Sequence, residues 1–252
     1  MVADASPERS RDAMSSALRE LADRYWQGRL AAEPIYATAT GDRRFDSMVR
    51  DDTPEAIARE RAALQDVLDA AEALDPTTLD DAERLTLSAL RADARGTIDA
   101  LDAGLEPWAV DPLHGPQVQF FNVESFQPVR TPEEGNAMVE RWRAMGRWFD
   151  SHADVLRDEV AAGRVAVRDP VAKVLDQVDD LLAQPDDAWA LLNPLKVERA
   201  DWSPAERAAF EESLRAAVRD AVRPALQRYG DVLRDEILPR ARPSERPGIG
   251  HL

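Results

Sequence analysis

The stretch Thr131-Pro132-Glu133-Glu134-Gly135-Asn136-Ala137-Met138-Val139-Glu140-Arg141-Trp142-Arg143-Ala144-Met145-Gly146-Arg147-Trp148-Phe149 carries the two signals that decide the fold. Its opening residues read as a helix start. A threonine hydroxyl accepts a backbone N–H that has no intrahelical partner, and proline suits the first helical position, where its missing N–H is not needed. The glutamates complement the positive helix end, and Glu134 stands where a reciprocal capping box with Thr131 requires it. Beyond the start, Met138, Trp142, Met145 and Phe149 recur at helical spacing on one face. Such a stripe is turned towards a core.

Working outward, the same start recurs at Ser6-Pro7-Glu8, Thr53-Pro54-Glu55 and Ser203-Pro204-Ala205-Glu206, with Asp80…Glu83 and Asp169-Pro170 as weaker relatives. Apolar stripes follow each of them. They comprise Met14, Leu18, Leu21 and Tyr25; Ile57, Leu64, Leu68 and Ala71; Leu85, Leu87, Leu90, Ala94 and Ile98; and Val171, Val174, Leu175, Val178 and Leu182. The last is the longest, with Phe210, Leu214, Val218, Ala221, Leu226, Tyr229, Leu233 and Ile237. Pro224 falls inside it and predicts a kink or break near Arg223. No β-branched runs bounded by hairpin turns compete with these patterns. The expected fold is all-α, an array or bundle of about six to eight helices.

One segment, 104–130, breaks the helical pattern with four prolines and two glycines, yet carries Trp108, Phe120, Phe121 and Phe126. It is too apolar for a loose linker, and long ordered loops in compact domains are often functional. The expectation is a long ordered non-helical loop, either facing a ligand or plugging the gap between helical layers. Residues 1–242 are expected to form a single helical domain. Residues 243–252 are proline- and glycine-rich, but Ile249 and Leu252 are apolar, as if leading into further structure. They read as a connector towards a longer polypeptide.

Composition narrows the chemistry. The chain has 252 residues, 44% of them hydrophobic, which suits a packed protein rather than a disordered one. It has no cysteine, which removes disulfides, thiolate metal sites and cysteine nucleophiles and fits a reducing, cytoplasmic setting. A formal net charge of −16 disfavours nucleic acid, whose phosphates call for a basic face. No window reaches the roughly 18 apolar residues of a membrane span, and the amino terminus lacks a signal-peptide pattern.

Catalytic motifs are equally sparse. The histidines are His114, His152 and His251, with no His-Glu-x-x-His helix. His152 is expected in a helix beginning near Ser151, and His251 in the terminal connector. There is no Gly-x-Ser-x-Gly elbow, dinucleotide fingerprint or phosphate loop. Adjacent acids such as Asp51-Asp52, Asp80-Asp81, Asp179-Asp180 and Asp186-Asp187 point about 100° apart on a helix and do not converge by themselves.

Three stretches together carry a family resemblance. They are Tyr25-Trp26 with Glu33-Pro34-Ile35-Tyr36-Ala37-Thr38-Ala39-Thr40-Gly41-Asp42; Gly115-Pro116-Gln117 through Phe126-Gln127-Pro128-Val129-Arg130-Thr131; and Val222-Arg223-Pro224-Ala225-Leu226 with Leu233-Arg234-Asp235-Glu236-Ile237-Leu238-Pro239. In order and spacing they resemble the amino-terminal half of the bacterial domain of unknown function 885 family. The resemblance implies a helical fold distantly similar to zinc carboxypeptidases, with a metal-binding His-Glu…His helix in a carboxy-terminal half. Zinc is therefore expected only in that half, which this sequence does not include, and no metal or catalytic residue is expected within this chain. What the resemblance leaves here is a scaffold and one side of a substrate cleft. His114, Gln117, Gln119 and Arg130 are the candidate cleft residues: glutamine can pair with a peptide backbone and arginine can hold a carboxylate. The expected partners are a peptide substrate and the carboxy-terminal half or a partner protein. The alternative is a stand-alone helical binding or protein-partner module without catalytic activity.

Overall fold

The computed structural model describes residues 7–104 and 109–245, with side chains from Ser15 onward. The Ser6 cap, the Met14 side chain, Trp108, Ile249, His251 and Leu252 lie outside these described residues. Within them the chain is all-α, with nine α-helices joined by short 3-10 turns. An isolated bridge between Val167 and Arg242 is the one β-type pairing among the described residues. No helix there is long and apolar enough to cross a membrane.

The helix starts follow the predicted chemistry. Thr131 and Glu134 form the capping box that opens α6, Pro132–Ala161. Ser203 and Glu206 do the same for α8, Pro204–Ala217, and Thr53 caps α3, Pro54–Glu72. Asp80 and Glu83 make a complete box at the start of α4, Asp81–Ala103. Asp169 and Pro170 lie in the first turn of the next helix, but Asp169 is not its cap. Helix α7, Arg168–Ala183, is entered from an extended Val167 without a side-chain cap. His152 likewise lies well inside α6, not near a helix start.

Where one domain over 1–242 was expected, the contacts group the chain into two compact units, residues 1–33 with 51–105 and residues 34–50 with 106–252. Each has its own apolar interior, so the helices are not arranged around a single core. The first unit packs α1, Pro7–Ala32, against α3 and α4. Leu18, Leu21, Val67, Ala71, Leu87 and Leu90 form one cluster there, and Leu64, Leu68, Ala94 and Ile98 another. Leu85, expected on this face, is 71% exposed. It lies two positions from Leu87, roughly 200° around the helix, which turns it to solvent.

The second unit is built on α6. Met138, Trp142, Met145 and Phe149 are all fully buried along it, as its period required. Against it pack α8 and α9, Arg223–Val232, and α7 packs in turn on α9. The short helices α2, Pro34–Ala39, and α5, Pro116–Asn122, belong to this unit as well. Segment 104–130 is thus not the uniform non-helical loop expected. Pro116 fits the first turn of a helix as Pro132 does, and the α5 residues Phe120 and Phe121 are buried.

Pro224 does not break the last helix. The turn before it widens instead: Val218–Val222 is π-helical, and the Arg223 N–H reaches back to the Val218 carbonyl. A second π turn, Leu233–Ile237, precedes Pro239, with the Leu238 N–H on the Leu233 carbonyl. In each case the wide turn ends two positions before a proline, whose ring would otherwise press on the carbonyl four residues back. The widening also sets the phase. Phe210 and Ile237 are 27 positions apart, roughly 7.5 turns of an ideal α-helix, which would put them on opposite faces. Two π turns, each absorbing about one extra residue, bring the count near seven, and both side chains are buried.

Gly146 lets this wide turn approach α6. A Cβ at position 146 would lie 2.8 Å from the Ala221 carbonyl oxygen and 2.9 Å from its carbon, both backbone atoms. Gly146→Val should therefore push α6 away from the π turn and destabilise the second unit by about 1–3 kcal/mol. Chemical denaturation followed by tryptophan fluorescence would show the lowered midpoint.

Candidate functional site

Two places in the second unit gather polar side chains from distant parts of the sequence. The first lies around α5. Asp111 closes the approach to the helix: its carboxylate accepts the N–H of Leu113 at 2.7 Å and that of His114 at 3.1 Å. The His114 ring meets the same carboxylate, Nδ1 to Oδ2 at 3.3 Å. These contacts, the Leu113 amide foremost, hold the Asp111 carboxyl below its ordinary pKa.

The four predicted cleft residues separate here. His114 and Gln119 are exposed and neighbouring, the Gln119 amide donating to the His114 carbonyl at 2.6 Å. Gln117 is turned inward and is 3% exposed. Its Nε2 donates to the Asp111 carbonyl and to Gln177 Oε1, each at 2.9 Å, while Gln177 Nε2 holds the Pro112 carbonyl at 2.8 Å. Gln117 and Gln177 thus clamp the loop to α7. Arg130 stands exposed ahead of α6, and its carbonyl accepts the Trp202 indole N–H at 2.8 Å.

The second place is a buried lock that the sequence reading missed. Arg141 is 0% exposed and distributes its guanidinium over five acceptors. Nε donates to the Met48 carbonyl at 2.8 Å and Nη1 to Gln127 Oε1 at 2.7 Å. Nη2 reaches the Phe45 carbonyl at 2.6 Å, Thr38 Oγ1 at 2.8 Å and the Pro34 carbonyl at 3.3 Å. The Thr38 hydroxyl in turn donates to Asp46 Oδ1 at 2.6 Å, so a buried carboxylate answers the buried cation through one hydroxyl. Gln127 completes the ring by donating to the Asp46 carbonyl at 3.0 Å. Burial lowers the Arg141 pKa to about 10, with Asp46 opposing the shift and Arg43 adding to it. The group therefore stays charged at neutral pH. One signal was available: Arg141 stands three positions after Met138, on the apolar stripe, where a charge must find partners.

Neither place suits a zinc ion. No three His, Cys, Asp or Glu side chains gather as a metal-holding group among the described residues. His114 engages Asp111, and His152 stacks on Trp148 with ring centroids 4.4 Å apart. A zinc site needs at least three converging N, O or S ligands.

The model of the family described as "Bacterial protein of unknown function (DUF885)" matches residues 34–251. The chain belongs to the DUF885 family. The match begins at the first residue of α2, the helix that Arg141 holds. Among solved structures, the DUF885 chain is similar to one titled the putative lipoprotein from Colwellia psychrerythraea, at a TM-score of 0.71 and 18% identity. The likeness covers 90% of this chain and 42% of that one, so the DUF885 chain spans less than half the length of that protein. At this identity the likeness speaks for the fold alone. No curated protein matches.

Two predictions follow from this geometry. Arg141→Met would leave the Phe45 and Met48 carbonyls without the guanidinium donor and the Asp46 carboxylate buried with only the Arg43 cation, at 3.6 Å, beside it. The expected loss is about 3–5 kcal/mol, and hydrogen exchange should show residues 34–50 losing protection first. At Asp111 the folded pKa lies below the unfolded one. Its stabilising contribution is full above the ordinary carboxylate pKa of about 3.9 and disappears as pH falls through the lowered folded value. An acid titration of Asp111→Asn should lack that component and match the parent at the acid limit.

Proposed function

We propose that this chain is the amino-terminal helical scaffold of a zinc-peptidase-like hydrolase, forming part of its substrate cleft, with metal and catalytic groups supplied by residues outside this sequence. The observation that carries the reading is the Arg141 lock. Two of the three stretches that resemble the family, the one reaching Glu33 to Asp42 and the one from Gly115 through Thr131, meet at one buried guanidinium. Thr38 and Gln127 of these stretches are engaged in holding shape. Buried in this way they position backbone and exclude water, and they are not available to bind or cleave a substrate.

The extent of the structural likeness, 42% of the longer chain, agrees with a division of labour between a scaffold portion and the remainder. The exposed trio His114, Gln119 and Arg130 are the side chains this portion would offer a peptide. An amide can pair with peptide backbone and a guanidinium with a carboxylate. Gln117 is withdrawn from that role and supports the loop instead.

The test compares the natural gene product that contains this sequence with the 252-residue chain alone. Zinc content by mass spectrometry and cleavage of a mixed peptide library would be measured on both. Zinc and cleavage are expected only where residues beyond this chain are present. Equal cleavage by the chain alone would sink the proposal. A natural product that holds no zinc and cleaves nothing would replace it with the stand-alone binding module.

A further inference from the structure

A groove of about 380 Å³ runs along the second unit between α6 and the turn from α8 into α9. Its apolar floor comes from Gly146, Ala216, Ala217 and Ala221, where the close approach of the π turn leaves only small side chains. Its walls carry Arg143, Arg147, Arg228, Asp150 and Asp220.

Nearly all of these charges are matched. Arg228 grips Asp150 through two hydrogen bonds of 2.8 Å each. Arg219 holds Asp220 in the same way, again at 2.8 Å twice. Arg143 donates to Glu140 at 2.6 Å. No such partner serves the Arg147 side chain among the described residues, so it is the unmatched cation of the groove.

We propose that the groove binds a carboxylate on a short aliphatic stem, with Arg147 as the residue that holds it. The fork of a guanidinium matches a planar carboxylate, the pairing that its neighbours already make with Asp150 and Asp220. Those two acids also disfavour a more highly charged tetrahedral anion such as phosphate. The alanine floor accepts two or three methylenes and has no polar group for a larger polar ligand. One matched charge at a wet surface gives weak binding, with a Kd on the order of millimolar. The groove is separate from the lock at Arg141 and from the exposed residues around α5, and its ligand does not depend on the peptidase reading.

Isothermal titration of the intact chain at low ionic strength, with glutarate, with an acetylated triglutamate peptide and with inorganic phosphate, tests this. Glutarate should bind saturably at millimolar concentration, at least tenfold more weakly to Arg147→Gln, and unchanged to Arg24→Gln, an exposed charge-matched control in the first unit. Tighter binding of the triglutamate than of glutarate identifies an acidic protein segment as the source of the carboxylate, and the reverse a free small acid. Absence of saturable binding by either, equal binding by Arg147→Gln, or phosphate binding as tight as glutarate with the same dependence on Arg147 would each overturn the proposal. Thermal melting of Arg147→Gln should match the parent, which separates lost binding from lost folding.

Discussion

The second unit depends on a single charged side chain placed where a hydrocarbon would be expected. Arg141 occupies the apolar stripe of α6 and is sealed from water. A cation in that position is costly unless its donors are answered. Three backbone carbonyls, a hydroxyl and an amide answer them, and they come from residues 34–48 and from Gln127. The guanidinium therefore joins sequence segments that share no apolar stripe of their own. Segment 34–50 has one short helix and a 3-10 turn. Without the lock it has few means of staying in the unit to which it belongs.

The same economy of small features governs the other half of the α6 packing. Glycine at 146 and the widened turn at Val218–Val222 are two aspects of one contact. The proline that forbids an ordinary turn is also what keeps the last apolar stripe in phase. An α-helix without the two π turns would rotate either Phe210 or Ile237 to solvent, so the prolines act as spacers rather than terminators. The shallow groove along this seam is a by-product of side chains that had to be small.

For function, burial draws the dividing line. Residues in or beside the family-like stretches fall into an inward group, Thr38, Asp46, Gln117 and Gln127, and an outward group, His114, Gln119 and Arg130. Sequence alone had placed Gln117 among the outward residues because glutamine is an apt peptide partner. The neighbouring Gln177 on α7, sixty positions away, captured it instead. Chemical aptitude is local to a residue, whereas the competition for its hydrogen bonds is settled by whatever packs against it.

The amino-acid sequence by itself determined the helical class, most helix starts, and the buried faces of α3, α4, α6 and α8, because caps and apolar periodicity act within a few residues of one another. Even α5 was legible in principle from Gly115-Pro116, but four prolines nearby argued more loudly for a loop. Only the tertiary structure decided that the chain forms two units with separate interiors, that Pro224 widens a helix rather than ending it, and that Arg141 is a keystone. The Arg141 lock in particular rests on groups brought together from far along the chain, as Arg141 and Met48 are at 93 positions. No spacing rule along the chain reports which distant carbonyl will face a buried donor.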